Sequence, residues 1–256
     1  MTKRKYVKKK DRENALLEQI NAEAIDEYKH RQSKWTSHDL REIKPITEPQ
    51  RQVMEGYIQG NNIVCSGSPG TGKTLIALYL AMNDILQQDS PRKKLLIVKS
   101  ATPSKEIGFL PGDIKAKTEI LELPYIDLIN YLFKSNKAYE SMVNHGLIQF
   151  TTTSYIRGLT WSKMIVLYDE AQNSTLQEIS SVIGRTGKDT KLIVIGDMFQ
   201  NDLVSKKYEV SGFDSFLKIA HEMSEFDIVN FTSDDIVRSS LVKSYLKAYE
   251  RVIGRL

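Results

Sequence analysis

The chain of 256 residues has one cysteine, Cys65, so no intramolecular disulfide can form. No apolar run approaches the ~20 residues that a membrane-spanning helix needs. The opening MTKRKYVKKK is followed by no apolar stretch of the kind that marks a signal peptide. A soluble, cytoplasmic protein without membrane contact is the expectation. Internal repeats, low-complexity tracts and a second compositional domain are also missing, and 41% hydrophobic residues are enough for a real core. Nor is there an aromatic row of the kind on which single-stranded bases stack, so composition alone does not mark a nucleic-acid binder.

Charge of one sign is concentrated in one place only. Residues 1–10 hold six of the 36 basic residues and no acid, which leaves 30 bases against 32 acids, a net of −2, for the remainder. Such a cluster binds phosphate backbones through counterion release, or it is a solvated tail. From residue 14 to about residue 35, Leu16, Ile20, Ala24 and Tyr28 recur at four-residue steps among charges. That spacing predicts an amphipathic helix, docked on the domain's own surface or serving as an oligomerisation arm. REIKPITEPQ, with Pro45 and Pro49, breaks the pattern and reads as a boundary. The expected organisation is a basic tail and helical extension over 1–40 and one domain over 41–256.

Within that domain short apolar runs alternate with helical stretches. Residues 63–65 precede a helix from Lys73, 95–98 precede a helix after Asp113, and 148–150 precede a loop. Residues 165–168 precede a helix near Leu176, 192–195 precede another, and 228–231 come before a helix from about Ser239 to the end. Strand and crossover repeated this often predict an α/β fold, a parallel sheet with helices on both faces.

The first strand runs into GSPGTGKT, residues 67–74, which fits the phosphate-loop pattern at all four of its fixed positions. Backbone N–H groups from Ser68 through Pro69, Gly70, Thr71 and Gly72 to Lys73, together with the helix N-terminus, can converge on β- and γ-phosphates; proline, lacking an N–H, contributes shape only. Gly67, Gly70 and Gly72 supply backbone freedom and close approach, Lys73 a point charge, and Thr74 a hydroxyl ligand for Mg²⁺. Cys65, just upstream, is expected to be a small buried strand residue without chemistry.

MIVLYDEAQN, residues 164–173, supplies the partner. An apolar strand ending in Asp169 and Glu170 puts one carboxylate at the sheet edge to hold the metal with Thr74, and a second beside it to orient or deprotonate water. The alternative is that these carboxylates cap a helix opened by Asn173 or Ser174. KLIVIGDMFQND, residues 191–202, then explains itself. If 192–195 lies beside 165–168, Asp197 and Gln200 reach the γ-phosphate, and Gln200, with both a donor and an acceptor, suits a sensor.

These residues resemble the PhoH-like proteins, phosphate-starvation-inducible ATPases related to the superfamily 1 helicase core. The resemblance covers about residues 46–250: TEPQ at 47–50, GSPGTGKT at 67–74, GFLPGD at 108–113, SYIRGLT at 154–160, YDEAQN at 168–173, GDMFQND at 196–202 and FTSDDIVRSSLVKSYLKAYE at 231–250. It implies a RecA-like P-loop NTPase that binds and hydrolyses ATP with Mg²⁺, with helicase-like or RNA-directed roles. By the same resemblance Gln50 reads the adenine edge, Gln200 senses the γ-phosphate, and Arg157 and Arg238 are phosphate-facing arginines. The chain departs from the pattern at Lys99-Ser100, where Arg-Pro is usual, at Leu159 for a second arginine, and at Ser239 for a histidine.

A superfamily 1 helicase closes ATP between two such domains, and one fits here, without room for a fused PIN nuclease. An arginine from outside the domain would come from a neighbouring copy, which favours a homo-oligomer or ring. Arg238 stands near a helix start, where a cation is disfavoured unless an anion is close, or it is a plain surface residue. The leading expectation is an ATPase that remodels or translocates on single-stranded nucleic acid, RNA in particular. The alternative is a slow nucleotide-dependent switch or assembly module acting on a protein, and a small-molecule kinase fits Glu170 and Gln200 less well.

Overall fold

The computed structural model describes residues 34–100, 114–156, 158, 160–197 and 211–252. The basic tail, nearly all of the expected N-terminal helix, GFLPGD at 108–113, Arg157, Leu159 and Gln200 lie outside the described residues.

Six strands form one sheet: β1 (Asn62–Gly67), β2 (Lys94–Lys99), β3 (Ile148–Thr152), β4 (Met164–Asp169), β5 (Lys191–Gly196) and β6 (Phe226–Phe231). Their order is β3-β2-β4-β5-β1-β6, and every pairing is parallel. Each apolar run read from the sequence lies within one of these strands. The runs of the four inner strands are continuous because both faces are buried, while the edge strands β3 and β6 expose Gln149 and Asn230. Ile63, Cys65, Ile97, Leu167, Ile193 and Val229 enter one core, while Val64, Leu96, Val98, Val166 and Val194 enter the other. This is the two-residue alternation of a pleated strand covered on both sides.

The first core is closed by α1 (Glu48–Gln59), α2 (Lys73–Ile85), α3 (Ile114–Leu132) and α4 (Ala138–Asn144). The second is closed by α5 (Leu176–Ile183) and α6 (Phe213–His221). A last helix, α7 (Ser240–Val252), follows β6 and packs against the 3-10 turn Ser233–Asp235. Among the described residues no helix is long and apolar enough to cross a membrane.

Two helices were not expected. Pro49, read with Pro45 as a break, lies in the first turn of α1, where a missing N–H costs nothing, and Thr47 caps that helix by accepting the Gln50 N–H. The short α4 carries too few turns for its periodicity to stand out. The stretch before α1 lies along the body. Trp35 meets Phe133 edge-on with centroids 5.4 Å apart and donates its indole N–H to Ser141 Oγ at 3.0 Å.

The second core also fixes how α5 and α6 meet. Gly212 donates its N–H to Ser174 O at 2.8 Å, and a Cβ there would sit 1.9 Å from the Leu176 backbone nitrogen. Backbone cannot step aside as a side chain can. Gly212→Ala is therefore expected to destabilise the fold by about 3 kcal/mol, at the upper end of overpacking costs, read as a lower urea midpoint with an unchanged slope. At Gly60, where a Cβ meets nothing within 4 Å but φ is +104°, alanine should cost only the left-handed strain, about 1–2 kcal/mol.

Candidate nucleotide site

In a parallel sheet the strand ends that can bind ligands share one edge. Here β1 ends in a loop that must bend away at once. Gly67 has φ +121°, and a Cβ on it would lie 1.8 Å from the Phe231 carbonyl oxygen at the end of β6. Ser68 N–H donates to that same oxygen at 3.0 Å, so the close approach is used as a bond.

Two further bonds hold the loop from outside. Val237 N–H donates to Gly70 O at 3.0 Å, and Gln50 Nε2 donates to Thr71 O at 2.9 Å. The other end of the Gln50 amide accepts the Ile46 N–H at 2.9 Å, and the side chain is buried. Both ends of Gln50 are thus engaged, and it is not among the cavity-lining residues.

Lys73 opens α2 and is itself buried, with Nζ donating to Gly67 O at 2.7 Å, Ser68 O at 2.6 Å and Thr71 Oγ1 at 3.4 Å. Burial pushes its pKa below the usual lysine value, against the opposing pull of Asp197 and the neighbouring acids. The loop thus carries a desolvated cation at its centre.

Across from it, Asp169 ends β4 with both oxygens engaged. Oδ1 accepts the Glu170 N–H at 2.9 Å, and Oδ2 accepts from Thr74 Oγ1 at 3.2 Å and from the Tyr125 hydroxyl at 3.0 Å. Glu170 adopts the left-handed conformation, φ 57°, and its carboxylate accepts from Gln172 Nε2 at 2.6 Å. Gln172 Oε1 in turn accepts the Asp197 N–H at 3.0 Å, which ties the end of β5 to that of β4. Burial first, and then the Asp169 charge, push the Glu170 pKa up; Lys99 opposes them.

The loop, these carboxylates and Arg238 enclose a cavity of about 310 Å³. Pro69, Gly70, Thr71, Gly72, Lys73 and Thr74 line it with Asp169, Glu170 and Asp197. Gly67 and Ser68 shape the loop without lining the cavity. Arg238 reaches it from the same chain, its Cγ 3.1 Å from where a Gly70 Cβ would be. It stands in the link before α7. Ser233, Asp234 and Asp235 form their own turn capped by Thr232, and Ser239 Oγ accepts the Val242 N–H at the start of α7. Ile236 and Val237 lie before that helix too. α5 opens at Leu176, not at Asn173 or Ser174, and is capped by Thr175 with Glu178, not by Asp169 or Glu170.

Three polar side chains that line the cavity, Lys99, Tyr125 and Gln172, are not marked by the motifs as site residues. Lys99 could have been found, since it ends an apolar strand in the way Asp169 does. Gln172 stands within the YDEAQN stretch. Tyr125 gives no signal, because it lies within α3 outside every motif and only packing brings it to Asp169.

A phosphate loop between a strand and a helix, opposed by a strand-ending carboxylate, on a parallel sheet of this order, defines a P-loop NTPase fold of the RecA-like kind. The model of the family described as PhoH-like protein matches residues 42–250, and the chain belongs to that family. It is 32% identical over 82% of its length to a PhoH-like protein of Synechocystis sp., covering 62% of that protein, and 31% identical over 83% to Protein PhoH of Escherichia coli, covering 60%. The chain thus spans about three-fifths of these curated relatives. Among solved structures, the large terminase of a thermophilic bacteriophage is 16% identical, with a TM-score of 0.46 over 81% of this chain and 50% of that one.

The electrostatics of Glu170 can be checked by stability. A carboxyl whose folded pKa is raised is stabilising when protonated, and that contribution is lost as pH rises from the unfolded value, near 4.5, through the folded one. Glu170→Gln removes the desolvated charge and keeps an acceptor for Gln172. The variant should melt higher than wild type at pH 7, with the difference shrinking toward pH 4, as followed by circular dichroism. An equal melting temperature at both pH values would contradict the raised pKa.

Proposed function

We propose that the chain binds ATP in this cavity and hydrolyses it with Mg²⁺. The observation that carries the reading is the convergence of Lys73, Thr74, Asp169 and Glu170 on one cavity beside a phosphate loop. Mg²⁺ commonly uses one or two protein oxygens and takes the rest from phosphates and water. A Thr74 hydroxyl bonded to an Asp169 carboxylate is such a donor pair, and among the described residues no cluster of three or more His, Cys, Asp or Glu offers a fuller cage. When bound, the ion would neutralise phosphate charge.

The protein's own groups then divide the work. Lys73 exchanges loop carbonyls for β- and γ-phosphate oxygens, which as anions are stronger acceptors. Glu170 takes the proton of a water as its oxygen attacks the γ-phosphorus and the bond to the β-phosphate oxygen breaks. A raised pKa makes Glu170 the better base. Gln200 acts as sensor of the γ-phosphate, and Arg238 and Arg157 offset phosphate charge. The position of Arg238 against its own chain's loop supports action within one subunit. An adenine contact by Gln50 would require its amide to give up Thr71 or Ile46.

The coupled work in this reading is remodelling of, or translocation on, single-stranded RNA by an oligomer in the cytoplasm. The basic tail supports the nucleic acid. If Arg238 acts within its own chain, the oligomer would not be needed to complete the site, and its support is α7. Leu241, Tyr245, Tyr249 and Val252 form an exposed apolar stripe there, 77%, 64%, 46% and 66% accessible, which a second copy would cover. The same stripe favours the second reading, a slow nucleotide-dependent switch acting on a protein.

ATP hydrolysis measured with and without single-stranded RNA separates the two. Stimulation of several-fold is expected, and an unchanged rate with RNA and with single-stranded DNA would leave the switch. The site itself is tested by two variants. Lys73→Ala should reduce turnover to background and weaken nucleotide binding, while Glu170→Gln should bind ATP normally and slow hydrolysis by roughly 10²–10⁴. Parallel loss of binding and turnover in Glu170→Gln would make that carboxylate a structural group.

A further inference from the structure

We propose that Tyr125 is a positioning residue for Asp169, setting the carboxylate's geometry for the divalent cation that accompanies the nucleotide. The inference rests on the cation-dependent reading of the cavity and adds to it a group from outside the loop and strand motifs.

Tyr125 is only 1% exposed and lies in the middle of α3, yet its hydroxyl donates to Asp169 Oδ2 at 3.0 Å. That oxygen is the one Thr74 Oγ1 reaches at 3.2 Å, while Oδ1 is held by the Glu170 backbone. A carboxylate fixed at only one oxygen can turn about its terminal torsion, which is broad and shallow. With a bond at each oxygen it cannot. Thr74, the other expected ligand, would have to serve both the carboxylate and the cation. The Tyr125 bond leaves Oδ2 oriented whatever Thr74 does.

The ring is positioned for this as well. It packs at 5.7 Å from Phe150, and Lys99 Nζ lies 5.7 Å from its centroid. Pro124, immediately before it, interrupts the hydrogen-bond ladder of α3 where Pro124, Tyr125 and Leu128 line the cavity. A tyrosine whose task was only to fill the core would be replaceable by phenylalanine without consequence. Here that exchange keeps the ring and removes one donor from a buried carboxylate. Groups that orient a metal ligand from behind typically account for 10- to 100-fold in metal affinity.

The test uses the full chain, Tyr125→Phe, a fluorescent non-hydrolysable ATP analogue and a Mg²⁺ titration. Analogue affinity in EDTA should match wild type, while the Mg²⁺ concentration giving half of the cation-dependent gain should rise about 10-fold. Hydrolysis should fall at low Mg²⁺ and recover as the ion saturates. A half-saturation equal to wild type, whatever the melting temperature does, overturns the proposal and makes Tyr125 a packing residue. So does an equal loss with and without Mg²⁺. If wild type itself binds the analogue equally with Mg²⁺ and with EDTA, the cation-dependent reading falls, and this inference falls with it. Wild-type dependence that the variant retains unchanged overturns Tyr125 alone.

Discussion

Six strands running in one direction need crossovers that carry the chain back across a sheet face, and helices α2 to α6 lie in those crossovers. In the four inner strands, covered on both faces, side chains alternate between two apolar cores and have no solvent side on which to place polar groups. There polar chemistry is confined to the points where the strands end. β1 sits between β5 and β6, and β5 sits beside β4, so the ends of all four neighbouring strands share one edge. Lys73, Asp169, Asp197 and Arg238 come together there because the topology leaves them nowhere else to meet.

The phosphate loop is shaped by its neighbours as much as by its glycines. Phe231 O, the Val237 N–H and the Gln50 amide each bond it from a different element. Such bonds do not depend on a ligand, so the loop's cost of ordering falls on folding and not on binding. Lys73 shows the complementary arrangement. Its ammonium is desolvated and bonded to carbonyl oxygens of the same loop, so in the proposed function a phosphate oxygen would replace neutral acceptors with a charged one.

The parts legible in the sequence were those written in contiguous residues. The six apolar runs, the loop at 67–74 and the carboxylates after 165–168 needed only period and spacing, and each lies where that reading put it. The condition that places Asp197 near the site, β5 beside β4, holds with Tyr168 opposite Val194. What stayed hidden depended on packing between distant segments. Tyr125 comes from α3, Arg238 acquires its place from the Val237–Gly70 bond, and the amide of Gln50 is committed to partners that no local pattern announces. Pro49 misled because proline ends a helix from within but starts one from its first turn.

One backbone angle accounts for the pairing of the two carboxylates. Successive side chains on a strand point to opposite faces, so Asp169 and Glu170 would diverge if β4 continued. The chain turns at Glu170 with φ 57° and ψ 37°, a conformation that costs a non-glycine residue about 1–2 kcal/mol. The surrounding bonds hold it there. Glu170 N–H meets Asp169 Oδ1, its carbonyl accepts the Asn173 N–H at 3.0 Å, and its carboxylate is gripped by Gln172. Both acids consequently line the same cavity. A glycine would adopt the turn more readily but would bring no carboxylate, and an unstrained glutamate would leave the cavity, so the strain is the condition for having two acids side by side at one strand end.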